Sequence, residues 1–490
     1  MRSAAVVAGA LAPAVLAATT AKNVIYIVPD GYGQASQTMA RDYVSLIETG
    51  TTPRAPSIFE LQADQMVRGL VRTHASNNLI TDSAASGTAF ACGFKSYNNA
   101  IGITPDFQPV GSILEAAKLA GLKTGLVVTS TINHATPAVY ASHVRDRNSY
   151  AEIAAQQIGL THPLGPQVDI LLGGGRCYFK PNTASGSCRR DTKDLFGYAE
   201  DHGYHVMQNR DEFDALKKGL GDIRIPFVGL FNDDQLKYEM DRKIDQDEPS
   251  LLEMVETSLN ALHRATHCKE KGYFIMIEAS RIDHAGHAND AAAHVHETIM
   301  YNDVMGFVRE WIDEHDDTVL MSAADHECGG LTLNGFNPLP LQKARRSREG
   351  VERLWSARPS GADRREYLVS EILPEYGLAD ASSAEITSLL AASNLGSALV
   401  SLLSSRAGVN WSTGGHTASD VTLFGYAAGD KAEAFKGELA GHWDNTELPR
   451  IAERVLGVDM DEVTKLLRAN GTSWVTKREF ETSSSGHHTH

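Results

Sequence analysis

The sequence has 490 residues, of which 42% are hydrophobic and 22% are charged, and its formal net charge is −16. This composition is typical of a globular protein, and the length allows either several domains or one large, elaborated α/β domain. The negative charge argues against nucleic-acid binding and against adsorption to anionic membranes. An anionic substrate would need a local positive centre in such a chain, either metal ions or a buried arginine.

Residues 1–20 have the pattern of a secretory signal peptide. Arg2 gives a short basic start, an apolar run extends from Ala4 to Leu16, and small residues at 17–19 provide a cleavage site. The run is short and alanine-rich for a membrane span, and a retained membrane anchor is the alternative. We therefore expect the chain to enter the secretory pathway and to be secreted, held at the cell surface or delivered to a vacuole.

Five cysteines fit an oxidising compartment, and their odd number leaves at least one thiol unpaired. Cys177 and Cys188 flank a polar loop containing Pro, Ser and Gly, so we expect these two to form a disulfide. The N-x-S/T triplets at Asn410 and Asn470 fit a secreted, glycosylated chain, although the closeness of Asn410 to a candidate site histidine argues against its use.

Predicted strands and helices alternate along most of the chain. Continuous apolar runs predict strands at 23–28, 67–72, 124–129, 168–172, 273–277, 318–321 and 421–426. Helices are predicted from Ser83 onward, at 111–120, in patches around 211–219 and 250–266, and at 291–314. This alternation predicts an α/β fold with a large, central, mainly parallel β-sheet flanked by helices on both faces.

Residues 338–405 differ from the rest, with arginines clustered from 345 to 365 and a Ser/Ala/Leu-rich helical stretch after them. We interpret this segment as an insertion on the sheet and its arginines as a solvated or subunit-contacting face. The catalytic domain is predicted to extend from 21 to 479. The Ser/Gly/His-rich end, 480–490, is predicted to be a disordered tail.

Carboxylates and histidines follow the predicted strands, at what should be one edge of the sheet. Asp283 and His287 are four residues apart and face one way on a helical turn, an O/N pair that suits zinc. Asp325 and His326 form a second such pair, while Asp30 and His416 are isolated candidates. Thr136 and Glu278 add the hard oxygens that Mg²⁺ prefers.

The stretch Thr81-Asp82-Ser83-Ala84-Ala85 places one hydroxyl and one carboxylate at a predicted helix start. On its own this stretch is typical of a capped helix. Because the N-terminus of a helix also favours an anion, Ser83 is a candidate nucleophile. Arg147 is a candidate for a guanidinium that binds two phosphoryl oxygens.

Taken together, these motifs resemble those of the alkaline phosphatase family, in the family's order, between about residues 22 and 430, and they are most similar to eukaryotic, fungal-like members. The motifs are Pro29-Asp30-Gly31, Thr81-Asp82-Ser83-Ala84-Ala85, His134-Ala135-Thr136-Pro137, His143-Val144-x-x-Arg147, Glu278-Ala279-Ser280-x-Ile282-Asp283-His284-x-x-His287, Ala324-Asp325-His326 and Gly414-Gly415-His416-Thr417.

The resemblance implies hydrolysis of small phosphate monoesters through a phosphoserine on Ser83, with Arg147 binding phosphate and Asp82 orienting it. It also implies an alkaline pH optimum, a homodimer with a crown-like insertion, and two Zn²⁺ and one Mg²⁺ per subunit. The implied ligands are Asp283, His287 and His416 for one zinc, Asp30, Asp325 and His326 for the other, and Asp30, Thr136 and Glu278 for magnesium.

Two positions depart from the well-known bacterial pattern. His134 stands where that form has an acidic residue near magnesium, and His284 stands where it has a lysine. We expect His134 to lie just outside the magnesium ligands and His284 to contact phosphate through water. Both substitutions could shift metal preference and phosphate affinity, whereas the reaction class should be unchanged.

Other functions remain open on the sequence alone. A phosphodiesterase or a phosphoglycerate mutase of the same superfamily would share much of this site, although the residues around Ser83 and His416 fit a monoesterase better. A secreted phosphate- or metal-binding protein without turnover belongs to a different class, and the intact ligand set argues against it. A sulfatase is disfavoured because no Cys/Ser-x-Pro-x-Arg pattern surrounds Ser83.

Overall fold

The computed structural model describes residues 19–469 and 471–475. Three predicted features lie outside the described residues: the signal peptide apart from its last two residues, the N-x-S/T triplet residue Asn470 and the tail at 480–490. Asn410 is described and is exposed. Within the described ranges, no helix is both long and apolar enough to cross a membrane.

The strands lie mostly at the predicted positions. They are β1 Asn23–Val28, β2 Val67–Arg72, β3 Lys123–Thr131, β4 Ile170–Gly174, β5 His205–Met207, β6 Phe227–Leu230, β7 Tyr273–Glu278, β8 Thr318–Ala323, β9 Glu327–Cys328, β10 Leu331–Leu333, β11 Val409–Trp411, β12 His416–Thr417, β13 Val421–Ala427 and β14 Gly441–Asp444.

The α-helices lie between and after these strands. They are α1 Gln34–Thr49, α2 Ser83–Cys92, α3 Ile113–Leu119, α4 Ala135–Ala138, α5 Tyr150–Gln157, α6 Leu195–Asp201, α7 Arg210–Asp214, α8 Glu239–Asp245, α9 Leu251–Thr266, α10 Arg281–His287, α11 Ala291–Glu314, α12 Arg348–Ser356, α13 Arg364–Tyr367, α14 Leu373–Glu375, α15 Ser383–Ala391, α16 Leu395–Ala407, α17 Ala432–Leu439, α18 Leu448–Leu456 and α19 Met460–Ala469.

One central sheet organises the molecule. In the described part of the chain it has ten strands, in the order β14-β2-β13-β8-β1-β7-β3-β4-β6-β5. All neighbours are parallel except β13, which is antiparallel to both β2 and β8. Every residue of β1 and β7 is buried, as expected for central strands of a covered parallel sheet. The α/β fold class with a mainly parallel sheet and helices around it is confirmed.

Two helix boundaries differ from the prediction for identifiable reasons. The helix predicted at 111–120 begins at Ile113, because Ser112 caps it and Glu115 completes a capping box. The helix predicted around 211–219 ends at Asp214, because Lys217 and Lys218 adopt positive φ angles of 48° and 57°. A left-handed conformation is incompatible with continuing a right-handed helix.

Residues 338–405 contribute no strand to the described central sheet. Their helices instead pack into a second apolar core together with α1 and α11, in which Val351 and Leu403 join Met39 and Val295. The segment is anchored by the antiparallel pair β10 and β11, which lie just outside it in the chain. The sheet and the inserted helices thus have separate cores.

The predicted disulfide between Cys177 and Cys188 is confirmed. Of the cysteines in the described residues, Cys92 and Cys328 are buried thiols and Cys268 is an exposed one. The polar segment between Cys177 and Cys188 is therefore closed into a short covalent loop.

Candidate active site

The predicted carboxylates meet at one edge of the sheet. Asp30 lies two residues after β1, Glu278 is the last residue of β7, and Asp325 lies two residues after β8. Parallel strands place their carboxyl ends at the same edge, where α/β sheets form binding sites. All three residues are buried. The strand ends thus concentrate negative charge at a point that water scarcely reaches.

Ser83 is the first residue of α2 and is only 2% exposed. Its hydroxyl oxygen Oγ lies 3.2 Å from Nε2 of His326. Every residue of α2 is buried, which accounts for the high content of Ala, Ser and Gly in this helix. The unpaired N–H groups of its first turn and its dipole favour an anion beside Ser83.

Asp82 joins the start of α2 to the guanidinium of Arg147. Oδ1 of Asp82 caps the helix by accepting the Ala85 N–H at 2.9 Å. Oδ2 accepts the Asn99 N–H at 2.8 Å and a hydrogen bond from Arg147 Nη1 at 3.2 Å. Burial tends to lower the pKa of Arg147, but Asp82 and other groups outweigh burial and raise it, so the guanidinium stays charged.

Asp30, Asp325 and His326 form a compact, buried group. One ligand atom of each lies within 4.8 Å of the others. Nε2 of His326 lies 3.0 Å from Oδ2 of Asp325 and 3.9 Å from Oδ1 of Asp30. Gly31 has φ +71°, and a Cβ there would lie 2.6 Å from the Cα of Asp283. Glycine therefore allows the turn after Asp30 to approach the next group of ligands.

That next group consists of Asp283 and His287 on α10 and His416 on β12. The two imidazole Nε2 atoms are 3.1 Å apart and lie 3.3 and 3.5 Å from carboxylate oxygens of Asp283. Nδ1 of His287 lies 2.7 Å from the carbonyl oxygen of Gly414, and Nδ1 of His416 lies 2.8 Å from that of Thr81. A carbonyl oxygen only accepts, so each Nδ1 carries a proton, and each imidazole in its neutral form presents a lone pair at Nε2. Two lone pairs and a carboxylate that converge in this way fit a bound cation.

A set of oxygen ligands lies between β1, β7 and the end of β3. The Thr136 hydroxyl donates to Oδ2 of Asp30 at 3.3 Å. Oε2 of Glu278 accepts hydrogen bonds from the hydroxyls of Ser130 and Ser280 at 3.0 and 2.7 Å. Among the described residues, none donates a hydrogen bond to Oδ1 of Asp30 or Oε1 of Glu278, although both atoms are buried. Buried carboxylate oxygens without a donor are suited to a cation.

The pKa values of Asp30 and Glu278 also indicate that these carboxylates suit a bound cation. Burial, with the neighbouring charges of Asp325 and Asp283, raises the pKa of Asp30 well above its usual range. Burial likewise raises the pKa of Glu278 to about 7. From the protein's own charges alone, these acids would hold protons near neutral pH. Divalent cations would favour the ionised form, so the residues fit zinc at the N/O groups and magnesium at the oxygen group.

His134 and His284 lie beside these groups. Their rings meet edge to face with centroids 5.6 Å apart, and Nε2 of His134 lies 3.4 Å from Nη2 of Arg147. Burial, followed by the charge of Arg147, lowers the pKa of His134 to about 3. A neutral imidazole therefore adjoins the arginine. All the site residues that were predicted from the sequence come together at this edge of the sheet.

Cys328 belongs to the site but was not predicted. Its Sγ lies within 4.8 Å of ligand atoms of Asp283, His287 and His416, and its side chain is buried. Burial, with the adjacent Asp283 carboxylate, raises the pKa of the thiol well above its usual range, so it is a thiol that can donate to Asp283. Its position two residues after His326 was the available signal, but the strand β9 that carries it is only two residues long.

A third group of ligand-type side chains, Glu115, His143 and His162, has a different explanation. Nε2 of each histidine lies 2.8–2.9 Å from Oε1 of Glu115. Nδ1 of His162 accepts the Leu164 N–H, so its Nε2 must carry a proton and cannot bind a metal. Nδ1 of His143 faces the carbonyl oxygen of Gly102, so both nitrogens of His143 donate. The group is a buried ion pair.

Comparisons with known proteins identify the family of the chain. The model of the alkaline phosphatase family matches residues 21–458. The repressible alkaline phosphatase of Saccharomyces cerevisiae and the alkaline phosphatase of Schizosaccharomyces pombe are each 37% identical, over 91% of this chain and 83% of the relative. The crystal structure of Thermus thermophilus alkaline phosphatase has a TM-score of 0.75 at 27% identity, covering 92% of this chain and 96% of that one. The cold-active enzyme of Shewanella sp. has a TM-score of 0.73 at 29% identity, covering 89% and 99%. The chain therefore belongs to the alkaline phosphatase family and is a phosphoric monoester hydrolase.

Proposed function

We propose that the chain hydrolyses phosphate monoesters in two in-line displacements, with Ser83 as the covalent nucleophile, and that it is most active at alkaline pH. The observation that carries this proposal is the position of Ser83. Its hydroxyl lies at the N-terminus of a buried helix, 3.2 Å from His326 and beside two groups of convergent ligands.

Two zinc ions and one magnesium ion are the cofactors that the residues fit. Asp283, His287 and His416 would hold one zinc, Asp30, Asp325 and His326 the other, and Asp30, Thr136 and Glu278 magnesium. When bound, these ions supply positive charge that favours deprotonated oxygens and stabilises the attacking and leaving oxygens.

The chain's own groups bind and orient the phosphoryl group. The N–H groups at the start of α2 and the guanidinium of Arg147 would neutralise its oxygens. Asp82 fixes the guanidinium through Oδ2 while its Oδ1 caps α2, so the nucleophile and the phosphate-binding arginine share one support. Ser83 would attack from the side of His326. The alcohol would leave on the opposite side, and water would later approach the phosphoserine from there.

The alkaline optimum follows from the protonation states that the site requires. Metal-binding imidazoles must be neutral and carboxylates ionised, so metal affinity rises with pH. A pH profile of kcat/KM tests this expectation. A maximum on the acidic side would contradict it.

Turnover of a monoester and a diester in the presence and absence of metal ions tests the proposal. We expect release of phosphate from p-nitrophenyl phosphate, loss of that activity on chelation and its recovery with zinc and magnesium. Bis-p-nitrophenyl phosphate should be a much poorer substrate. Activity that survives complete removal of zinc would contradict the metal assignment, and a preference for the diester would indicate a phosphodiesterase.

The proposal also covers cellular targeting, glycosylation and oligomeric state. We infer entry into the secretory pathway, by a secreted, cell-surface or vacuolar route, and N-glycosylation, for which Asn470 is the favoured site. We also infer a homodimer, which light scattering of the purified protein would show. A mobility shift after glycosidase treatment would establish glycosylation, and its absence would contradict it.

A further inference from the structure

A cavity of about 610 Å³ opens beside the candidate active site. Its lining includes His134, His284 and His287 of the candidate active site, which we call its inner end, and four residues of the helix α12 of the inserted segment, namely Arg348, Glu349, Glu352 and Arg353. The phosphate and metal groups account for the inner end of the cavity but not for the rest of its volume. The charged side chains of α12 therefore face a space that connects with the reaction centre.

The cavity lies on the side from which the leaving group departs, an assignment that rests on the proposed function. Ser83 contacts His326, whereas the cavity is lined by His287, which belongs to the other group of ligands. In phosphoryl transfer the attacking and leaving oxygens lie roughly in line on opposite sides of phosphorus. An alcohol that leaves opposite Ser83 would therefore occupy this cavity.

Charged side chains make up nearly half of the residues that line the cavity. Within the described part of the chain, the cavity is lined by the cations Lys237, Arg281, Arg348 and Arg353 and by the anions Asp234, Glu349 and Glu352. This slight positive excess contrasts with a net charge of −16 for the whole chain. Whether an anion can use these cations depends on which of them already have carboxylate partners.

The cations differ in how closely they contact carboxylates and carbonyl oxygens. Lys237 Nζ lies 2.9 Å from Asp245, and Arg348 Nε donates to Glu352 at 2.9 Å. Arg281 is buried and donates to the carbonyl oxygen of Leu236 and to the carboxylate of Glu349.

Arg353 has more distant carboxylate partners than these three cations. Its nearest carboxylate oxygens, on Asp241 and Asp245, lie 3.7 and 4.0 Å away, beyond hydrogen-bonding distance, and 47% of its side chain is exposed. Its guanidinium has donors that an incoming oxyanion could use.

We propose that this cavity binds the leaving group and that Arg353 contacts a second anionic group on it. The favoured substrates are phosphate monoesters whose alcohol also carries a carboxylate or another phosphate. A guanidinium binds either oxyanion through parallel N–H donors. The inserted helix α12 would then determine substrate preference while the sheet edge carries out the reaction.

A matched pair of substrates tests the proposal. Phenyl phosphate and 4-carboxyphenyl phosphate differ by one carboxylate on the leaving group. The measured quantity is the ratio of their kcat/KM values, with the carboxylated substrate in the numerator. We expect this ratio to fall roughly fivefold in Arg353→Ala, the upper range for a partly exposed ion pair. Arg358→Ala is the control, because Arg358 packs over Trp355 and does not line the cavity, yet its removal changes the net charge equally.

The outcomes separate this inference from the function on which it rests. A ratio in Arg353→Ala within twofold of wild type overturns the contact with Arg353. An equal fall in Arg358→Ala also overturns it, since the effect would then come from long-range charge. A wild-type protein that hydrolyses neither substrate would contradict the proposed function and, with it, the leaving-group site.

Discussion

The carboxylate of Asp82 offers a sharp perturbation, because its two oxygens have different partners. Oδ1 caps α2 through the Ala85 N–H, while Oδ2 accepts from the Asn99 N–H and from Arg147. Asp82→Asn keeps an oxygen for the cap but places an amide NH₂ where Oδ2 was. The amide NH₂ would then face two other donors, the Asn99 N–H and the Arg147 guanidinium. Arg147 would lose the acceptor that aligns it with phosphate.

The size of the effect follows from the burial of this contact. Arg147 is 4% exposed, so the hydrogen bond is little screened by water. A hydrogen bond to a charged group is worth about 1.5–3 kcal/mol. Each 1.4 kcal/mol corresponds to about tenfold in affinity, so binding of inorganic phosphate should weaken roughly ten- to hundredfold. Asparagine caps helices about as well as aspartate, so the fold should be retained.

Competitive inhibition of p-nitrophenyl phosphate hydrolysis by inorganic phosphate is the appropriate assay. The inhibition constant reports phosphate binding directly, whereas kcat can be governed by product release. Asp194→Asn is the control, since Asp194 caps the exposed start of α6 through the Gly197 N–H in the same way. An inhibition constant for Asp82→Asn within twofold of wild type would refute the role assigned to this carboxylate.

Three further predictions concern the surroundings of the site. Cys328→Ala should weaken zinc retention against a chelator roughly tenfold, as expected when a group that orients a metal ligand is lost, whereas Cys268→Ala, at an exposed thiol, should leave it unchanged. Zinc retention in Cys328→Ala equal to that of wild type would contradict the contact with Asp283. Thr136→Val should raise the magnesium concentration needed for full activity without changing zinc content, and an unchanged magnesium requirement would exclude it as a ligand. Burial tends to raise the pKa of Glu115, but His143 and His162 outweigh burial and lower this pKa well below its usual range. The ionised Glu115 carboxylate therefore stabilises the fold above about pH 4.5, and this stabilisation declines as the pH falls below that value. The Tm of Glu115→Gln should therefore lie below that of wild type at pH 7, with a gap that narrows on acidification; a constant gap would contradict the buried ion pair.

Much of the sheet could be predicted because its central strands are long apolar runs. The strand β1 was predicted residue for residue, and β7 to within one residue, since strands covered on both faces leave a continuous hydrophobic signature. The side chains that follow them, such as Asp30 and Glu278, could be placed at one edge because parallel strands end together. The position of Ser83 at a helix start followed from the adjacent Asp82 and from Ser83 itself, residue types that are typical of a helix cap.

Other features depend on contacts between distant parts of the chain. The proximity of Cys328 to His416 arises from the pairing of the two-residue strands β9 and β12, which are too short to leave a pattern. The placement of Arg353 beside the active site depends on how the inserted helices pack against α1 and α11. The end of α7 is set by left-handed conformations at Lys217 and Lys218, which lysine adopts too rarely for a sequence pattern to indicate.

The central claim is that Ser83 becomes phosphorylated during turnover, and trapping that intermediate tests it most directly. Wild-type protein loaded with zinc and magnesium would be mixed with substrate, quenched in acid and digested, and the peptide containing Ser83 would be analysed by mass spectrometry. We predict the added mass of one phosphoryl group on Ser83, and no such peptide from Ser83→Ala, which should retain its zinc but lose nearly all turnover. A Ser83→Ala protein that retains wild-type turnover, or a phosphoryl group trapped on another residue, would contradict the assignment.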